Sequence, residues 1–71
     1  MGKTVARRVE MTAVMADSGY SWNFWTEVEV DEGAADADVM GAAREAATAA
    51  LERDHVVVSL VEPVFLEPLD A

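Results

Sequence analysis

The chain reads as an α+β domain of element order β-β-α-β: a three-stranded antiparallel sheet in spatial order 2-1-3 with one helix packed on one face. Three patterns predict it. Apolar residues alternate through Thr4–Ala16 and again through Tyr20–Asp31, the period of strands with one buried side. Between Ala37 and Arg53 they recur instead at helical spacing. Last comes Val56-Val57-Val58-Ser59-Leu60-Val61-Glu62, β-branched and apolar on both parities, as in a strand covered on both sides.

In the first strand, Val9, Met11, Ala13 and Met15 make the better core face, with Arg7 at the rim of the sheet. Asp17-Ser18-Gly19-Tyr20 supplies a hairpin loop, because aspartate and serine open turns and glycine accepts positive φ. The second strand carries four of the five aromatics (Tyr20, Trp22, Phe24, Trp25) and then the carboxylates Glu27, Glu29 and Asp31. Tyr20, Trp22, Phe24, Val28 and Val30 share one parity and face inward; Trp25 alone is large, apolar and out of phase. The carboxylates form a solvated face that meets Arg7 and Arg8 across the hairpin, each such pair being worth roughly 0.2–1 kcal/mol.

Asp36 is the predicted N-cap of a helix over residues 37–53, with acids at its start and Arg53 at its end to match the helix dipole. Val39, Met40, Ala43, Ala46, Ala47, Ala50 and Leu51 form its apolar stripe; Gly41, Glu45, Thr48 and Glu52 lie opposite. A stripe made mostly of alanine must approach the sheet closely, and Met11, Met15, Trp22 and Phe24 fill the space. The third strand is expected over Val56–Glu62. Pro63 marks a bulge, an edge or the strand's end, and Val64–Leu69 continues beyond it. A right-handed crossover brings this strand back parallel to the second, and laying it beside the first makes every neighbouring pair antiparallel. The face away from the helix is then expected to carry Val14, Trp25, Val57 and Val61.

Seventy-one residues make a single small domain, whose core supplies only roughly 3–5 kcal/mol. With no cysteine there is no disulfide or cysteine-zinc staple, so oligomerisation is the expected source of stability. Residues 62–71, with exposed-looking Phe65, Leu66 and Leu69, are expected to dock on or exchange with a neighbour. The net charge of −9 disfavours direct nucleic-acid binding and anionic membranes, and suits basic protein partners, nucleic-acid mimicry or plain solubility. No secretory or membrane-spanning segment is legible, so the expected location is cytoplasmic. The absence of isoleucine, glutamine and cysteine points to a GC-rich bacterial or phage genome.

No catalytic set is legible. His55 is the one histidine; its neighbour Asp54 would face the opposite way along an extended chain, so His55 reads as a helix-to-strand junction residue. No serine sits in a nucleophile-elbow pattern, and the glycines are isolated rather than phosphate-cradling. Asp31, Glu32, Asp36 and Asp38 crowd one loop without the ligand spacing of a calcium loop. Trp22 and Trp25 fall on opposite faces of one strand and cannot clamp a ring between them. Trp22 therefore reads as core, and Trp25 as an interface residue.

Dodecins are similarly short and acidic, with a helix on a three-stranded antiparallel sheet, but their helix follows the first strand rather than the second. Asp17-Ser18-Gly19-Tyr20-Ser21-Trp22 and Ala42-Ala43-Arg44-Glu45-Ala46-Ala47 resemble the hairpin and helix of HicB-type antitoxin domains. The Pro-Asp-Leu-Pro-Gly segment of that family is replaced here by Glu29-Val30-Asp31-Glu32-Gly33. Neither comparison assigns a functional residue or cofactor. The resulting expectation is a non-enzymatic, homo-oligomeric interaction or regulatory module without a cofactor, its interface drawn from Trp25, Val57, Val61, Phe65 and Leu66. The alternative is an acidic nucleic-acid mimic presenting Glu27, Glu29, Asp31, Glu32, Asp36 and Asp38. A planar-ligand binder using Trp25 from two subunits ranks third.

Overall fold

A computed structural model describes residues 2–69. It contains β1 (Thr4–Met15), β2 (Ser21–Asp31), α1 (Asp36–Arg53) and β3 (Val58–Leu66), with the sheet in the order β2-β1-β3 and both pairings antiparallel. The α+β class, the element order and the strand order are those the sequence predicts.

The hairpin forms because its loop closes with little strain. Gly19 takes φ +73°, a left-handed conformation that costs other residues roughly 1–2 kcal/mol. Its N–H donates to the Met15 carbonyl, and the Met15 N–H donates to the Tyr20 carbonyl. The Ser18 hydroxyl accepts from the Tyr20 N–H, tightening the turn. Register then runs without interruption from Val14 opposite Ser21 to Thr4 opposite Asp31.

Strand β3 departs from simple alternation. Its pairing with β1 shifts twice, leaving Val64 as an extra residue between Phe65 and Pro63, and Ser59 as one between Leu60 and Val58. Each bulge reverses the parity of the faces. Val61 therefore lies opposite Ala13 and packs on the core beneath the helix, not on the open face with Val14 and Trp25 as expected. Leu66 likewise faces the core, opposite Val9, while Phe65 faces away. Pro63 belongs to the interior of β3 rather than to its end. It sits opposite Met11, at a position whose nitrogen points to the outer edge, so the missing N–H costs no ladder bond. The segment from Glu62 onward thus pairs within its own chain as far as Leu66, and the Glu67 N–H extends the ladder to the Arg8 carbonyl. Asp70 and Ala71 lie outside the described residues.

The core is small: Val9, Met11, Val39, Ala43 and Ala47 are buried, ringed by Phe24, Val28, Val30, Ala34, Val61 and Leu66. Small residues on α1 meet large ones on the sheet, as the alanine stripe demands. Ala46, expected within that stripe, is exposed, whereas Thr48 on the expected wet side is half-buried and donates its hydroxyl to the Arg44 carbonyl. Tyr20 and Trp22 were expected to fill the core as well. Instead Tyr20 is exposed and Trp22 half-buried, stacked on each other with ring centroids 6.1 Å apart.

Geometry explains the shortfall. α1 must travel from the end of β2 to the start of β3, which lie on opposite edges of the sheet, so it crosses obliquely. Its 18 residues span only about 27 Å, while the 12 residues of β1 span about 40 Å. The hairpin corner carrying Tyr20 and Trp22 is left uncovered, as an open concavity of about 540 Å³ shared with Met15, Ser18 and Val56. At the opposite corner Arg7 is only 8% exposed and donates from a guanidinium nitrogen to the Glu67 carbonyl at 3.3 Å. Arg7 thereby anchors the chain after β3; its Nε has no hydrogen-bond partner among the described residues.

The helix ends are chemically unlike. Ala35, not Asp36, is the N-cap, and with no side-chain oxygen it makes no capping bond; Asp36 and Asp38 act through the dipole from the first turn. At the other end the Val56 N–H donates to the Leu51 carbonyl and the His55 N–H to the Glu52 carbonyl. That is the Schellman arrangement, with His55 at φ 60° in the place usually held by glycine. His55 is thus a junction residue whose backbone conformation, rather than its imidazole, closes the helix.

Both ends can be improved. Ala35→Ser should stabilise the fold by about 1 kcal/mol by capping an orphan N–H. His55→Gly should stabilise it by roughly 0.5–1 kcal/mol, the relief of left-handed strain less the added freedom of the unfolded chain. Urea unfolding at fixed protein concentration measures both, and a destabilised His55→Gly would show that the imidazole itself holds the junction.

Candidate interaction surfaces

Two surfaces remain after the core is built: the sheet face away from α1 and the outer edge of β2. The open face is set by the even-numbered residues of β1. Across its middle run three of its rows: Glu27 opposite Arg8; Trp25, Glu10 and Phe65; and Asn23, Thr12 and Glu62. Trp25 (43% exposed) and Phe65 (48% exposed) meet edge to face over Glu10, with centroids 6.2 Å apart. The Arg8 guanidinium lies 4.8 Å from the Trp25 ring centroid and 3.3 Å from a Glu67 carboxylate oxygen. Arg8, directly opposite Glu27, thus makes its ion pair with Glu67 instead. Arg7, expected to pair with a carboxylate of β2, lies opposite Val28 and, among the described residues, bonds to a backbone carbonyl alone.

Polar bonds order the middle of this face. The Thr12 hydroxyl donates to Asn23 Oδ1 at 2.7 Å, and Asn23 Nδ2 donates to Glu10 Oε2 at 3.3 Å. Leu60, opposite Val14, adds an exposed apolar side chain at the hairpin end. Of the five expected interface residues, Trp25 and Phe65 come together here, Val61 and Leu66 turn to the core, and Val57 is exposed just before β3 with its carbonyl accepting from the Ala16 N–H. Arg8 lies on this face opposite Glu27, as its parity predicts, whereas Leu60 is an addition; the Ser59 bulge that puts Leu60 there has no signature in composition.

The acidic residues do not converge. Glu27, Glu29 and Asp31 line β2 on the open face, with Glu29 accepting from the Thr4 hydroxyl at 3.0 Å. Glu32 sits in the connecting turn, and Asp36 and Asp38 belong to the first turn of α1, on the other side of the sheet. Among the described residues no group of three acidic or histidine side chains is placed to hold a metal ion. Likewise among the described residues, no helix is long and apolar enough to cross a membrane.

The edge of β2 follows from the hairpin's hydrogen bonds. Because Met15 bonds to Tyr20 and Glu32 to Lys3, even-numbered residues of β2 point their N–H and C=O groups at β1. Odd-numbered residues (Ser21, Asn23, Trp25, Glu27, Glu29 and Asp31) point theirs outward. β2 has no proline and no bulge, whereas β3, the other edge, has both.

No protein-family model, curated protein or solved structure matches the chain. The functional reading therefore rests on these surfaces.

The aromatic cluster has its own test. In a double-mutant cycle of Arg8→Ala and Trp25→Ala, unfolding at fixed protein concentration should give a coupling of roughly 0.5–1 kcal/mol, the size of a solvent-exposed cation–π contact. Additive losses would mean that the contact is not held in solution.

Proposed function

We propose that the protein is a non-enzymatic interaction module that works as a homo-oligomer and engages another protein through the open sheet face. The observation that carries this reading is the exposed Trp25–Phe65 pair, flanked by Arg8, on a face the single helix does not cover. Tryptophan, arginine and large apolar side chains of this kind dominate the energetics of protein interfaces. Two features support self-association: the core has few fully buried residues, and chains this short commonly draw stability from assembly.

The row Glu27, Glu29 and Asp31 beside that patch favours a basic partner and sets the sign of the salt response. Capture of such a partner weakens as salt rises. Self-association of a chain carrying −9 does the reverse, because screening relieves like-charge repulsion.

Sedimentation equilibrium decides the first half of the proposal. The mass should rise above the 7.7 kDa of one chain within the micromolar range, and rise further with added salt. A folded species that stays at the monomer mass into the millimolar range would remove the homo-oligomer.

A further inference from the structure

We infer that β2 pairs with β2 of a second copy, antiparallel and in one register, about a two-fold axis at Thr26, giving a continuous six-stranded sheet. The inference rests on the homo-oligomeric reading above and specifies its geometry.

Three observations select the edge and the register. The first is the contrast between edges. The outer side of β3 is interrupted by Pro63 and by bulges at Val64 and Ser59, devices that discourage a further strand. The outer side of β2 is eleven residues of regular strand with nothing in the way.

The second is the hydrogen-bond phase. Only odd-numbered residues of β2 present N–H and C=O groups outward, so an antiparallel partner must set odd residues against odd. An axis at Thr26 does so, placing Trp25 against Glu27, Asn23 against Glu29, and Ser21 against Asp31 of the second copy. The whole of Ser21–Asp31 is then paired. An axis at Trp25 also keeps the phase but leaves Asp31 without an opposite residue in the strand.

The third is charge. Like charges directly opposite in a sheet are destabilising. An axis at Glu27 sets Glu27 against itself, and one at Val28 sets Glu27 against Glu29. With the axis at Thr26 no carboxylate faces another, and each Glu27 keeps Arg8 on its other side. The acidic half of β2 therefore repels the alignments with the axis at Glu27 or Val28, and the extent of pairing favours Thr26 over Trp25.

Packing agrees on both faces. On the helix side the axis sets Trp22 against Val30 and Phe24 against Val28 of the second copy, with Thr26 against Thr26. All of these side chains are only half-buried in one chain, and each aromatic would cover the part of a valine that stays exposed beside the core. On the open face the two Trp25 side chains become diagonal neighbours, about 7–8 Å apart. The aromatic patches of the two copies thereby join into one surface for a partner.

The chain has no cysteine, so a single introduced thiol reports the register. Thr26→Cys should form a disulfide-linked dimer under mild oxidation, because its Cα would face its own copy within the ~4.4–6.8 Å a disulfide spans. Glu29→Cys and Val64→Cys, on the same edge out of register and on the other edge, should cross-link at least roughly tenfold more slowly. Circular dichroism and sedimentation of each reduced variant establish that it folds and associates as the parent does. A parent that sediments as an oligomer while Thr26→Cys links no faster than the controls overturns the β2 pairing and leaves the homo-oligomer standing. A folded monomer overturns both. Should Thr26→Cys fail to fold, Asn23→Cys mixed with Glu29→Cys carries the same test, with heterodimer expected over either homodimer.

Discussion

Backbone hydrogen bonding governs this molecule more than its core does. A strand can satisfy one side of its main chain within a hairpin, but the other side needs another strand or water. Strand β1 is paired with β2 from Thr4 to Val14 and with β3 from Val9 to Met15, and it holds Val9, Met11 and Ala13, which are fully buried. β2 and β3 each have one side left. Bulges and a proline break up the outer side of β3, while the outer side of β2 is unbroken. The proposed pairing of that side with a second copy would extend the sheet and add burial that one helix cannot supply.

The helix explains why so much is left over. Alanine at its sheet-facing positions lets it lie close, so the core closes around Met11 and Val39 with little volume between the layers. The same helix must connect opposite edges of the sheet, and it is shorter than the hairpin it crosses. Its oblique path leaves Trp22 half-buried at one corner, while Arg7 pins the chain after β3 at the other. Aromatic side chains that a longer helix would cover remain available along the edge of β2. The open face, organised around Trp25, Phe65 and Arg8, is separate from both corners. The fold thus leaves one regular strand edge unpaired and one sheet face uncovered, the two features on which the proposed self-pairing and partner binding rest.

Element order, strand order and the inward parity of β1 and β2 were legible in the sequence because alternation and helical spacing are local properties, and no bulge interrupts the hairpin. Trp25 stood out for the same reason, as the one large apolar residue out of phase. β3 was legible only as an apolar strand. Its bulges at Ser59 and Val64 depend on how it lies against β1, so the faces of Val61, Leu66 and Leu60 could not be read from their spacing. The helix start was misplaced by one residue because aspartate is favoured both at the cap and in the first turn, and only the backbone conformation of Ala35 distinguishes them. The acidic run was legible as a wet face. Its relation to strand register required the phase of the hairpin's hydrogen bonds.

Amide hydrogen exchange tests the central claim most directly, because it reads the outward N–H groups of β2 one by one. In the associated protein, the amides of Asn23, Trp25, Glu27 and Glu29 should be protected to the same order as those of Phe24, Thr26 and Val28, which bond to β1. That protection should fall on dilution to the monomer, while protection of the inward set persists. If the outward amides exchange as freely in the associated protein as in the monomer, the edge of β2 faces water and the pairing is wrong.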